Sequence, residues 1–282
     1  MISAKKRLSI LFIVFLFFSC SKEVELDLSV DRPKLVLNCL LTPQKPVSVN
    51  LSSSSSVLET IFPEIEDARI TLFENGQFVT NLTHVSEGDY QTDYKPKAGM
   101  IYTITAKASG FESVTATDSI PLHRPVIYDY SFTYPGKVVG ESIYGQITIR
   151  MSDKEPEKIN YYEIAFASFE NFCASNDVFT VNDLEPPNPR TILFTDRSFS
   201  GKTINFILYV NKDKLPEMEV RSVSYNYYTY KKTWYAHVYT QAWGMETIDE
   251  LFKGEPTVMF SNIEHGYGIF ASYDVFPFDS RF

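Results

Sequence analysis

Along most of the chain, short runs of apolar residues alternate with polar ones, the period-2 pattern of a strand with one buried face. Leu35–Leu41 (LVLNCLL) and Val47–Ser52 (VSVNLS) are rich in branched residues and are separated by Pro43 and Pro46, as sandwich or edge strands are. Asp67–Phe73 (DARITLF) alternates cleanly, Glu74-Asn75-Gly76-Gln77 supplies tight-turn residues, and FVTNLTH returns, so a hairpin is predicted there. GDYQTDY, MIYTITAKA and FESVTATDSI follow, divided by turns at Pro96–Gly99 and Ser109-Gly110. With no helical period in this half, the spacing predicts an immunoglobulin-like or transthyretin-like β-sandwich over residues 33–121.

The segment SIPLHRPV, with Pro121 and Pro125, interrupts the alternation and reads as a linker, which puts a domain boundary near Leu122. Beyond it, VIYDYSFTY, SIYGQITIRMSD, INYYEIAFASF, RTILFTD and KTINFILYV all read as strands, joined by exposed loops such as KEPEK and DLEPPNPR. Only SVSYNYYTYKKTWYAHVYTQAW departs from period 2. It begins as a strand and becomes a helix over about 226–243, with Tyr227, Tyr230, Trp234 and Val238 on one face and Tyr228, Tyr235, Tyr239 and Trp243 on another. The chain ends as a strand, a turn carrying Gly266 and Gly268, and a last strand. The predicted fold is therefore mainly β: two tandem sandwich-like domains, 33–121 and 122–282, the second carrying one aromatic-rich helix.

A different pattern stands at the start. Lys5, Lys6 and Arg7 precede an unbroken apolar run from Leu8 to Phe18, Ser19 is small, and Cys20 follows before the polar SKEVELD. The run is shorter than the roughly 20 apolar residues that a spanning helix needs. It reads as a lipoprotein signal over residues 1–19, cleaved before Cys20, whose acylated thiol then holds a tether over 20–32 to a membrane; Phe17 and Phe18 depart from the usual residues at that point. Ser21, Lys22 and Glu23, with Glu25 and Asp27 behind them, resemble the short acidic signal that sends Bacteroidota lipoproteins to the outer face of the outer membrane. Asp118-Ser119-Ile120 resembles an O-glycosylation acceptor of the same phylum, with Ser119 as the modified residue.

Composition narrows the function classes. The formal net charge of −9 becomes −12 when Lys5, Lys6 and Arg7 leave with the signal, so the mature chain lacks the basic footprint that nucleic acid requires. Export to an oxidising compartment makes a Cys39–Cys173 disulfide chemically available; two small buried thiols are the alternative. The histidines, His84, His123, His237 and His265, are scattered, with no H-x-x-x-H or C-x-x-C spacing and no G-x-S-x-G elbow. The acidic pairs Glu64/Glu66, Asp153/Glu155 and Asp249/Glu250 sit in loop-like stretches and read as solvated charge, and the serine run Ser52–Ser56 reads as a loop. No catalytic residue, metal site or cofactor is expected. Tyr228, Tyr235, Tyr239 and Trp243 remain as aromatics on which a small ligand, peptide or glycan could stack, with burial against a sheet as the competing role.

PKLVLNCLLT, DARITLFENG, EGDYQTDY with AGMIYTITA, FTDRSFSGK and above all EPTVMFSNIEHGYGIF together resemble the Bacteroidota lipoprotein family called domain of unknown function 4249, from about Pro33 to about Asp274. Ser261-Asn262-Ile263 and Gly266–Phe270 match its closing pattern, whereas Cys39 stands where glycine is more usual, so the resemblance implies no shared disulfide there. Members are often encoded beside TonB-dependent outer-membrane transporters. The resemblance implies no established activity and no agreed site residues, catalytic ones included; together with the anchor it favours a surface lipoprotein that binds a ligand or partner as accessory to such a transporter. The alternative is a structural or adhesive surface lipoprotein with no transport role.

Overall fold

The computed structural model describes residues 32–55, 63–123, 126–152, 157–166, 191–197, 199, 201–210, 218–242 and 258–276. Among the described residues, fifteen strands and one helix run in the order β1 (Leu35–Leu41), β2 (Ser48–Ser53), β3 (Arg69–Glu74), β4 (Gln77–Asn81), β5 (Thr83–Ser86), β6 (Asp89–Gln91), β7 (Ile101–Lys107), β8 (Val114–Ser119), β9 (Val126–Val139), β10 (Ser142–Ser152), β11 (Tyr161–Phe166), β12 (Thr191–Thr195), β13 (Thr203–Val210), β14 (Met218–Val223), α1 (Tyr225–Ala242) and β15 (Tyr267–Phe276). They form an eight-stranded sheet, β12-β11-β14-β15-β1-β2-β6-β5, a four-stranded sheet, β4-β3-β7-β8, and a three-stranded sheet, β13-β10-β9.

The alternation seen in the sequence decides which residues fill the two cores. Leu35, Leu37 and Leu41 of β1 and Val49 and Leu51 of β2 point into a cluster with Ile70, Leu72, Tyr102, Ile104 and Val114 of the four-stranded sheet. A second cluster joins Ile147, Ile149, Phe206 and Leu208 of the three-stranded sheet to Tyr162, Ile164, Ile192, Phe194 and Val220. The large sheet thus serves both sandwiches, one half facing each smaller sheet. Each fully buried branched or aromatic side chain contributes about 1.5–3 kcal/mol. Strand β12 is buried at every position because it packs on both faces: Ile192 and Phe194 enter the second core, and Leu193 enters a third cluster with Val223, Tyr227, Tyr228, Ile269 and Ala271, beneath α1. The helix therefore covers part of the back of the large sheet.

The mainly β, two-sandwich reading matches this architecture, and the helix begins one residue earlier than predicted, at Tyr225. The hairpin is also where the sequence put it, with Asn75 (φ 49°) and Gly76 (φ 79°) in the left-handed region that its turn demands. One strand differs from what linear reading suggests. Strand β15 belongs by sequence to the second half, yet it inserts between β14 and β1 and runs parallel to β1, so the two halves on either side of Leu122 share one sheet. Three local devices hold it there. Gly268 takes φ +104° where a Cβ would lie 2.1 Å from the Leu37 carbonyl oxygen. The Asn262 side chain donates Nδ2 to the Phe270 carbonyl (2.8 Å) and accepts from the Phe270 amide (3.0 Å), acting as a partner strand would. The Glu264 amide donates to the Thr115 carbonyl at 2.9 Å, tying the preceding segment to β8.

Candidate functional site

Alternation that sends Leu37, Cys39, Val49 and Leu51 inward must send Asn38, Leu40, Ser48 and Asn50 to the back face of the sheet. Helix α1 covers this face over β12, β14 and β15 and leaves it open over β1, β2 and β6. Between the helix flank and the open strip lies a cleft of about 410 Å³, floored by Asn38, Leu40, Ser48, Asn50 and Asp89 and walled by Tyr230, Lys231 and Trp234, with Ile269 at the junction. The volume falls in the range of small-ligand sites. Asn50 Nδ2 donates to Asp89 Oδ1 at 2.8 Å, which fixes both side chains on the floor. Lys231 Nζ stands 5.7, 5.4 and 5.9 Å from the ring centroids of Tyr227, Trp234 and Tyr235, so its ammonium rests against aromatic faces. Trp234 is 36% exposed.

The wall is held in position from beneath. Ser224 caps α1: its Oγ accepts from the Tyr227 amide at 3.1 Å, and the Ser272 amide of β15 donates to the same oxygen at 3.3 Å. The buried Glu163 carboxylate on β11 receives Thr191 Oγ1 (2.8 Å), Arg221 Nη1 (2.9 Å) and the Tyr227 hydroxyl (2.7 Å). Burial, and next the Glu163 charge, push the Tyr227 phenol well above its usual range, so it stays a neutral donor.

A second buried carboxylate ties the first residues of α1 to both sandwiches. Asn226 Nδ2 donates to Asp118 Oδ1 at 2.9 Å, and Ser272 Oγ lies 2.6 Å from Asp118 Oδ2 and 2.8 Å from the Ser119 carbonyl oxygen. The serine has one hydroxyl hydrogen for two acceptors. The Ser224 side chain and the Ser119 amide also donate to Asp118, and these hydrogen bonds favour its charged form. Burial pushes the Asp118 carboxyl up to about 6 against hydrogen bonds that favour its charge. A carboxyl raised above its unfolded value adds stability below the unfolded value and loses it as pH rises through about 6, a difference of about 3 kcal/mol. Asp118→Asn, which keeps a donor toward Ser272, is expected to unfold in urea with a smaller fall in stability between pH 4 and pH 7 than the native chain. Parallel pH profiles for the two chains would refute a raised Asp118 pKa.

The sequence-predicted residues fall unevenly around this cleft. Tyr228 is only 7% exposed, its ring centroid 4.9 Å from that of Tyr161, so it offers packing and no ligand face. Tyr235 is half-buried beside Trp234, 5.2 Å between centroids. Tyr230 and Trp234, from the face not singled out by sequence, line the cleft instead. The Tyr239 side chain, Trp243, Cys20, Ser21, Lys22 and Glu23 lie outside the described residues, as do Asp153, Glu155, Asp249, Glu250 and Cys173. Ser119 is exposed on β8. Cys39 is a free thiol whose pKa burial pushes far above its usual range, with a smaller contribution from Asp118, so it is chemically inert. Glu64 and Glu66 are exposed, and among the described residues no group of three or more His, Cys, Asp or Glu side chains could hold a metal ion. Lys231 was the one signal open to sequence reading, a cation embedded in a run of aromatics.

Fold and cleft together define a double β-sandwich protein with a helix walling an open surface pocket. The chain belongs to the family described as Domain of unknown function (DUF4249), whose model matches residues 21–277. No curated protein matches it.

Proposed function

We propose that the protein is an outer-membrane lipoprotein, anchored through acyl chains on Cys20 and facing the cell exterior, that binds a ligand in the α1 cleft and serves as accessory to a TonB-dependent transporter. The observation that carries the binding role is the cleft: three helix side chains facing a floor of polar side chains, of ligand-site size. The signal ending on Cys20 supports the anchor, and the family match begins directly behind it, at residue 21. In this reading the two sandwiches are a rigid stand, and α1 positions the cleft wall while taking no part in bond-making.

Detergent extraction of native membranes followed by pull-down of the mature chain is expected to recover a TonB-dependent channel in amounts that persist after a high-salt wash. Recovery of no outer-membrane channel, with nutrient uptake unchanged on deletion, would favour the adhesive role in its place.

A further inference from the structure

We infer that the cleft takes an acidic saccharide, a pyranose chain carrying carboxylate or sulfate groups; this rests on reading the cleft as the ligand site. The floor consists of side chains on the interior strands β1, β2 and β6, whose backbone groups are engaged within the sheet. An extended peptide gains affinity by pairing with a free strand edge, which this floor does not offer. Recognition here is by side chains alone, and those present suit hydroxyl groups. With Asn50 Nδ2 committed to Asp89, the second Asp89 oxygen and the Asn50 carbonyl oxygen remain as fixed acceptors.

The wall adds two features. Trp234 presents part of an indole, against which the C–H face of a pyranose packs while its hydroxyls point to the rim. Lys231 supplies the sign. Three rings hold its ammonium in place without neutralising it, and no carboxylate among the described residues lies within ion-pair distance of it. Ring faces attract a cation, yet they accept no conventional hydrogen bond, so its N–H donors are open to an anion on the ligand. Asp89 on the floor sets the orientation: it disfavours an anion there and accepts hydroxyls, so the ligand's acidic group turns toward the helix.

The test is calorimetric titration of the detergent-purified mature chain with hexamers of galacturonate, of chondroitin sulfate and of neutral maltose units, and with an acidic hexapeptide. At least one acidic saccharide is expected to bind tenfold or more tightly than maltohexaose, with an affinity that weakens as salt rises. Binding of the galacturonate hexamer shows that carboxylates suffice, whereas binding of chondroitin sulfate alone, which carries both groups, shows that sulfate is required. Lys231→Met is expected to abolish that preference, and Trp234→Ala to weaken acidic and neutral saccharides alike by tenfold or more, both with unfolding midpoints close to the native value. Equal binding of acidic and neutral hexamers, a preference that survives Lys231→Met, tighter binding of the peptide, or no binding of any hexamer would each overturn the assignment. Recovery of a transporter in the pull-down is read separately, so loss of the saccharide leaves the accessory role standing.

Discussion

Replacing Glu163 with alanine is expected to lower stability by about 3 kcal/mol, or about 6–12 °C in midpoint for a chain of this size. Three donors converge on this carboxylate from three different elements: Thr191 of β12, Arg221 of β14 and Tyr227 of α1. Its removal leaves the Thr191 and Tyr227 hydroxyls without that acceptor in a buried site and the Arg221 guanidinium with Glu219 alone, at 2.6 Å near the surface. That remaining pair puts the loss at the lower end of what breaking a buried ion pair costs. Because Tyr227 lies two turns before Trp234 on the same helix flank, the loss also reaches the cleft wall. Glu163→Gln keeps an acceptor for Tyr227 and is expected to lose less. Combining Glu163→Gln with Arg221→Met, so that neither charge remains, is expected to cost less than the sum of the two single changes. Strict additivity would show that the pair does not act as a unit. Urea unfolding of the native chain and the four variants measures both outcomes.

Much of the fold was open to sequence reading because strands buried on one face print their period directly into the chain. Leu35–Leu41 matches β1 residue for residue, and Asn75-Gly76 marks the hairpin because its turn needs left-handed backbone. What sequence could not show is pairing between residues far apart. Nothing local to Tyr267–Phe276 says that it will lie parallel to β1, although Gly268 marks the close approach once the partner is known. The shared eight-stranded sheet follows from that one pairing, and a division near Leu122 reads naturally until it is seen.

The cleft was harder to read for a related reason. Asn38, Ser48 and Asn50 are the ordinary polar half of two strands, and only the position of α1 turns them into a floor. Within the helix, aromatic residues occur on every side, so periodicity identifies a helix without telling which ring faces the sheet. Tyr227 and Tyr228 are both buried, and Tyr230 and Trp234 reach the opening. The burial that competed with the binding role for this stretch holds for its first turn. The cleft wall begins one turn later, at Tyr230.

In the proposed reading an anchor on Cys20, outside the folded strands, governs where all of this operates. Two or more acyl chains on Cys20 would keep the protein on a membrane, since each buried methylene contributes about 0.8 kcal/mol and a single chain gives only marginal binding. Among the described residues no helix is long and apolar enough to cross a membrane. Residue 20 precedes the compact unit Pro33–Phe282, so Cys20→Ser is expected to leave the sandwiches intact while removing the attachment. The decisive measurement is fractionation of cells expressing the native or the Cys20→Ser chain, with protease shaving of intact cells. A lipid-anchored surface protein predicts that the native chain sediments with the outer membrane and is cut by external protease, while the Cys20→Ser chain leaves the membrane fraction entirely. A Cys20→Ser chain that remains with the outer membrane, or a native chain that external protease cannot reach, would contradict it.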